Sequence, residues 1–311
     1  MAGHRSSGGG LVRRETGDCP AAIQNAQAHR ADDRSGWASD RPVGRHVPQG
    51  GNGFRPQEPA QRALRHRVNE GRTNLSASLA DLGIDDNEPS LTNDEKTATV
   101  RDLLTSRSGI YHPAAHETAD IKRKRQARGS HAPGSFWFYN NWDFNALGTI
   151  YRQQTGEDIF GSFESRIATP TGMEDFSVKD GRYAVEKLSE HPAYPFRLSA
   201  RDAARFGQLF LNDGKWGTRQ VIPASWIRES TTTYSWAKRI RQGYGYMWWT
   251  LPEDMWGPHA FYASGYGGQN IAVVPSRRLV VVQTVDLSQN PKGIRTSAFI
   301  DLLKEIARAS P

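Results

Sequence analysis

The chain has 311 residues, 37% of them hydrophobic, and a net charge of +7, long enough for one large or two ordinary domains around a substantial core. No apolar run approaches the length of a membrane span, and the basic residues at the N-terminus are followed by no apolar stretch, so neither a spanning helix nor an export signal is read and a cytoplasmic location is expected. The single cysteine, Cys19, excludes an internal disulfide framework and a cysteine-based metal cluster.

Residues 1–67 differ in kind from the rest. They hold 11 Arg, no Lys and 6 Asp or Glu, a net +5 of the total +7. Beyond Met1, their large apolar residues are only Leu11, Val12, Ile23, Trp37, Val43, Val47, Phe54 and Leu64, without periodicity. Such a segment cannot bury much of itself. It reads as a disordered or non-native basic arm; Arg without Lys beside Gly, Pro and Ala is also what a shifted frame in GC-rich DNA would encode. No aromatic-basic repeat accompanies the charge, so no nucleic-acid partner is expected.

Patterned sequence begins near Val68. Asn69 to Arg72 reads as a helix end, and Leu75, Leu79, Leu82 and Ile84 alternate with polar residues through a turn-rich stretch. A short helix is expected over Thr99 to Leu104, capped by Thr99 with Asp102 at its third position and stopped by Ser108-Gly109. The run Ile121 to Arg128, IKRKRQAR, reads as a solvated loop at a cleft rim, where its cations would favour anionic ligands. His112 and His116 are four apart, but Pro113 lies between them and no His-Glu-x-x-His is present, so no metal site is expected.

The stretch Ser130 to Gly156 joins a polar loop to a strong helix through the corner Tyr139-Asn140-Asn141. Phe144, Leu147, Ile150 and Tyr151 then recur at helical spacing up to Gly156, a left-handed cap, with Asn141 as the expected N-cap. A phenol that can relay a proton beside a carboxamide that can orient an acyl group suits acyl transfer. Packing and capping alone would also account for both residues.

Further helices are expected at Ile159 to Ile167, closed by Pro170 and Gly172, at Ser199 to Gly214 with Asp202 at the third position, and at Pro223 to Glu229. From Gly243 the period becomes extended. Tyr244 to Thr250, Phe261 to Ser264, Asn270 to Val274 and Leu279 to Val285 read as antiparallel strands, with Pro275 to Arg278 as a hairpin connection. Ile294 to Ala309 is an amphipathic helix with Phe299, Leu302, Leu303 and Ile306 toward the sheet. Between two strands lies Ala263-Ser264-Gly265-Tyr266-Gly267-Gly268-Gln269, whose glycines allow either a tight turn or close approach of a ligand.

Taken together, Arg101-Asp102-Leu103-Leu104-Thr105 followed by Ser108-Gly109, Pro133-Gly134, Phe136-Trp137, Tyr139-Asn140-Asn141, Thr155-Gly156 and Leu198 to Asp202 resemble, in type and order, the serine β-lactamase and penicillin-binding-protein-like hydrolases. The likeness is to their class C, esterase and oligomeric amide-hydrolase branch. It runs from about residue 68 to 308. It implies an α+β fold, an antiparallel sheet covered by helices with a mostly helical lobe, of which the N-terminal part is missing or disordered here, leaving 68–311 as an incomplete hydrolase domain. It implies Tyr139 and Asn141 as catalytic residues, and Ala263, Ser264, Gly265 and the Tyr266 amide at the substrate and oxyanion position, where the family carries Lys-Thr-Gly or His-Thr-Gly.

The resemblance also implies a Ser-x-x-Lys nucleophile motif before Arg101. The only match in the chain is Ser235-Trp236-Ala237-Lys238, in the wrong order and in a stretch read as a polar loop. Ser264 has no Lys or His neighbour in sequence. The expected function is therefore a serine hydrolase of esters, amides or β-lactams whose turnover is impaired for want of its nucleophile, or a vestigial binding protein that keeps the acyl-ligand pocket. A small-molecule acyl, amide or ester ligand and no cofactor are expected.

Overall fold

The computed structural model describes residues 74–237 and 240–309; the readings of residues 1–67 and of Asn69 to Arg72 fall outside them. Leu75, Leu79 and Ile84 are buried in a run of turns. Backbone bonds from Leu79 N to Ala98 O (2.8 Å) and from Val100 N to Ala77 O (3.1 Å) tie that run to helix α1, Val100–Leu104. The cap is the expected one. Asp102 N donates to Thr99 Oγ1 (3.2 Å) and Thr99 N donates to Asp102 Oδ2 (2.9 Å), covering two free amides reciprocally. The helix stops before Ser108-Gly109, because Ser106 turns the chain through a left-handed φ of 53°.

The basic run is only partly a loop. Thr118 caps a short helix α2, Ala119–Lys124, by accepting from Ile121 N (3.2 Å). Most of its cations are paired: Arg123 and Lys124 share Asp120, Arg125 pairs with Glu117, and Arg128 chelates Glu95 (Nε to Oε1 3.0 Å, Nη2 to Oε2 2.8 Å). These pairs use part of the run's positive charge and leave an excess of cations over carboxylates.

Helix α3 spans Asn141–Thr155, and α4, Ile159–Phe163, continues into a π turn, Glu164–Ala168. A hairpin of β1, Ala184–Glu186, and β2, Ser189–Ala193, packs on α3. Ser199 Oγ accepts from Asp202 N (3.2 Å) to start α5, Ala200–Leu211. Asp202 does not complete a capping box; its buried carboxylate accepts from the amides of Glu174, Asp175 and Phe176 (2.9–3.2 Å). The small hairpin of β3, Lys215–Trp216, and β4, Arg219–Gln220, leads to α6, Ala224–Ser230.

Among the described residues the main sheet has six antiparallel strands: β5 Ser235–Ala237, β6 Gln242–Tyr244, β7 Trp249–Thr250, β8 Phe261–Gly265, β9 Gln269–Val274 and β10 Leu279–Gln283, in the order β10-β9-β8-β7-β6-β5. A short helix α7, Glu253–Trp256, lies between β7 and β8. The expected strand Tyr244 to Thr250 is two strands with a buried turn between them, and Ser235, expected in a loop, lies in edge strand β5.

Alternation along the strands divides the core. Phe261, Ala263, Ile271 and Val273 face the helical side, where α5 packs against β9 and β10. Tyr262, Ala272 and Val274 face the opposite side, covered by α8, Thr296–Ala309, through Phe299, Leu303 and Ala307. The result is an antiparallel sheet between helical layers, the α+β arrangement expected. Gly207 of α5 sits so close to the sheet that a Cβ there would stand 2.6 Å from Val280 Cγ1.

Candidate active site

The corner before α3 is set by Asn140, whose backbone is extended (φ −124°, ψ 112°) and whose Oδ1 accepts from Trp142 N at 3.2 Å. Asn140 is thus the N-cap in place of Asn141, which is already inside the first turn. The other end is as expected: Gly156 takes φ 67° and donates its N–H to Arg152 O at 2.8 Å.

Four polar side chains on the buried start of this helix grip the loop of residues 108–116. Asn140 Nδ2 donates to Ile110 O (2.7 Å) and to Asp143 Oδ1 (2.8 Å). Ser108 Oγ donates to the same Oδ1 at 2.5 Å while accepting from Ile110 N at 3.1 Å. Asn141 Nδ2 donates to His116 O and Asn145 Nδ2 to Ala115 O, both at 3.2 Å. Asn141 is 5% exposed, so its amide group serves this clasp. Asp143 is 0% exposed; burial pushes its carboxyl well above the usual range, the Ser108 and Asn140 bonds oppose that, and Asp102 adds to it. Tyr111 closes the same region, its phenol pushed up to about 12 by burial and then by Asp143.

Tyr139 is half-buried. Its ring lies parallel to Trp249 of β7 (centroids 5.8 Å apart, 14° between planes) and meets Phe144 edge-on at 4.9 Å and Tyr244 at 6.3 Å. Trp249 also stacks with Tyr262 of β8 (6.2 Å, 16°), and Trp137 packs on Tyr244 and Trp249, both at 5.6 Å. Tyr262 donates its hydroxyl to Gln242 Oε1 at 2.6 Å. Burial raises that phenol, the Gln242 bond opposes the rise and Tyr139 adds to it. Tyr139 is therefore joined to β8, the strand carrying Ala263 to Gly265, through Trp249 and Tyr262.

Ala263 is 1% exposed and packed in the helical-side core. Ser264 Oγ bonds Thr296 Oγ1 at 3.0 Å, a hydroxyl partner that cannot serve as a base. Gly265 pairs with Gln269 to close the turn, and Tyr266 at its tip is 40% exposed. Gly267 and Gly268 have φ of 78° and 100°. A Cβ on Gly267 would stand 2.6 Å from Leu287 Cδ2, and one on Gly268 2.6 Å from Ile294 O, while Ile294 N donates to Gly267 O at 3.0 Å. The two glycines make room for the chain's own 287–294 segment.

Ser235 is buried, with Arg107 Nη1 3.4 Å from its Oγ. Arg107 also donates to Gly134 O and Tyr234 O. Strand β5 is three places from β8, about 14 Å at the usual strand spacing, and Lys238 is outside the described residues. Among the described residues no group of three or more His, Cys, Asp or Glu could hold a metal ion. Sequence reading missed Ser108, Asp143, Asn145, Trp137 and Trp249. The signal was present in NNWDFN, four amide or carboxyl side chains in the first six residues of a helix.

A sequence model of the Beta-lactamase family matches residues 26–303, extending upstream of the motifs that begin near residue 68. Among solved structures, the chain is similar to a candidate 6-aminohexanoate-dimer hydrolase from Bacillus anthracis (TM-score 0.63, 20% identity, over 83% of this chain and 72% of that one). It is similar also to a class C beta-lactamase (TM-score 0.59, 15% identity, 80% and 79%) and to a penicillin-binding protein homologue from Caulobacter crescentus (TM-score 0.56, 17% identity, 86% and 91%). At these identities the likeness concerns the fold. No curated protein matches the chain. Among the described residues no helix is long and apolar enough to cross a membrane.

Proposed function

The chain belongs to the beta-lactamase family, and from that premise we propose that it is a serine-hydrolase relative that binds small ester, amide or β-lactam compounds beside Tyr139 and turns them over poorly. The observation that carries this reading is the placement of Tyr139, half-buried on Trp249 and linked by that ring to Tyr262 of the strand that continues into Ser264 and Gly265. On this reading a ligand carbonyl lies between the Tyr139 hydroxyl and the Tyr266 amide, with Asn141 behind the corner and Ala263 lending no charge. An acyl-enzyme needs a hydroxyl with a base in reach to take its proton. Ser264 has Thr296 as its side-chain partner, and Ser235, the only serine in a Ser-x-x-Lys sequence, is three strands away. Without that pair, oxyanion contacts and binding leave only a small residue of catalysis over water.

The test has two arms. A fluorophosphonate probe and a chromogenic short-chain ester or cephalosporin should give neither stoichiometric labelling nor a burst; labelling at a mapped serine would overturn the low-turnover reading and name the nucleophile. Titration with phenyl acetate should give a saturable change in tryptophan emission that is weakened in Tyr139→Ala. No saturable change in the wild-type chain would remove the binding half.

A further inference from the structure

Tyr139 is held from both sides. On one side Phe138 N donates to Ser106 O at 3.0 Å; on the other Asn140 Nδ2 donates to Ile110 O at 2.7 Å. Both anchors go to the loop that follows α1, so the position of the ring depends on how that loop meets α3. Beside the amide bonds to Ile110, Ala115 and His116, one oxygen ties the two sides together: Asp143 Oδ1 receives both Ser108 Oγ and Asn140 Nδ2. An acidic residue at the third position of a helix ordinarily turns back to the cap's backbone amide. Asp143 instead reaches sideways to Ser108 and is fully buried.

We propose that Asp143 is the positioning residue of the corner: by joining Ser108 to Asn140 it sets where the 108–116 loop meets α3, and through that where Tyr139 stands over Trp249. The role goes beyond the reading above, because it governs the geometry of the corner whether or not the cleft turns a ligand over. It also separates the duties of two neighbouring residues. Asn140 holds the loop and caps the helix with its two amide ends, but its Nδ2 is shared between Ile110 O and Asp143 Oδ1. Removal of the carboxyl oxygen leaves the Ser108 hydroxyl and half of the Asn140 donor capacity without an acceptor in a place water does not reach.

The experiment reads the Tyr139–Trp249 contact directly. The near-UV circular dichroism that depends on Trp249 is defined by difference against Trp249→Phe, and far-UV dichroism reports whether the fold persists. Asp143→Ala is expected to lose more than half of that signal while the far-UV spectrum is retained. Asp143→Asn keeps one carbonyl oxygen for both donors and should restore it. Should Asp143→Ala fail to fold, Ser108→Ala removes one of the two donors and is expected to give a partial loss, with Ser108→Thr restoring it. Full signal in Asp143→Ala, or in Ser108→Ala where Asp143→Ala does not fold, would overturn the proposal, as would equal loss in Asp143→Asn and Asp143→Ala.

Discussion

The ring of Tyr139 lies 5.8 Å from that of Trp249 with only 14° between their planes, so the corner that precedes α3 rests on strand β7 of the sheet. Offset stacking of this kind contributes about 0.5–1.5 kcal/mol beyond the area it buries. Trp249 touches Trp137, Tyr244 and Tyr262 as well, and the strand and the corner therefore share one set of aromatic contacts.

Trp249→Ala should lower the unfolding free energy by about 3 kcal/mol, the lower end for a large aromatic, because the ring is only partly buried. A urea titration checks this, and Trp249→Phe should recover more than half of the loss. An effect below about 0.5 kcal/mol would mean that the stack is incidental.

Two pH effects of opposite sign are expected. Burial lowers the pKa of His191 and of His112, with Asp86 and Glu190 opposing it at His191, and with Arg128 adding to it and Glu95 opposing it at His112. A depressed imidazole stabilises the fold above its unfolded value of about 6.5, and that contribution fades as pH falls through the folded pKa. The raised Asp143 acts the other way: its contribution is complete below the ordinary carboxylate range and is lost as pH rises through its folded pKa. Melting curves should show His191→Gln flattening the acid side and Asp143→Asn the side of higher pH. Parallel curves for wild type and both variants would refute this assignment.

Gly207→Ala should destabilise despite the better helix propensity of alanine, which favours it by about 1 kcal/mol. The new Cβ would stand 2.6 Å from Val280 Cγ1 and 3.1 Å from Ile271 Cγ2, and overpacking of this order costs about 1–3 kcal/mol. In a double-mutant cycle with Val280→Ala the loss in the double mutant should fall short of the sum of the two single losses by about 0.5 kcal/mol or more. Strict additivity would show that α5 moves away from the sheet instead.

Local chemistry made much of the fold legible. The Thr99–Asp102 cap and the Gly156 terminus follow from contacts within a few residues, and the alternation in β8 to β10 and the amphipathic α8 from a period readable within each segment. The stretch Tyr244 to Thr250 did not yield in the same way, since Gly-Tyr-Met-Trp carries no turn chemistry. Its bend is imposed from outside: Met247 at φ 61° donates its N–H to Leu104 O (3.0 Å), Tyr246 N donates to Ser230 O (2.8 Å), and a Cβ on Gly245 would stand 2.4 Å from that same carbonyl. Tertiary contacts overrode the extended pattern. At the corner, the motif singled out Tyr139 as the candidate, whereas the orientation of Asn141 toward His116 O was not legible, because the acceptor belongs to a loop 25 residues upstream.

The glycines beside Tyr266 have a consequence for how such a cleft can drift. Gly267 and Gly268 are shaped to the side chain of Leu287 and the backbone of Ile294, and the turn bearing the Tyr266 amide takes its set from that segment. If a ligand binds at the Tyr266 amide as proposed, substitutions in that segment should shift its fit while Tyr139, Ser264 and Tyr266 stay the same. Lineages of this fold could thus diverge in selectivity through a stretch that a comparison of pocket residues would pass over.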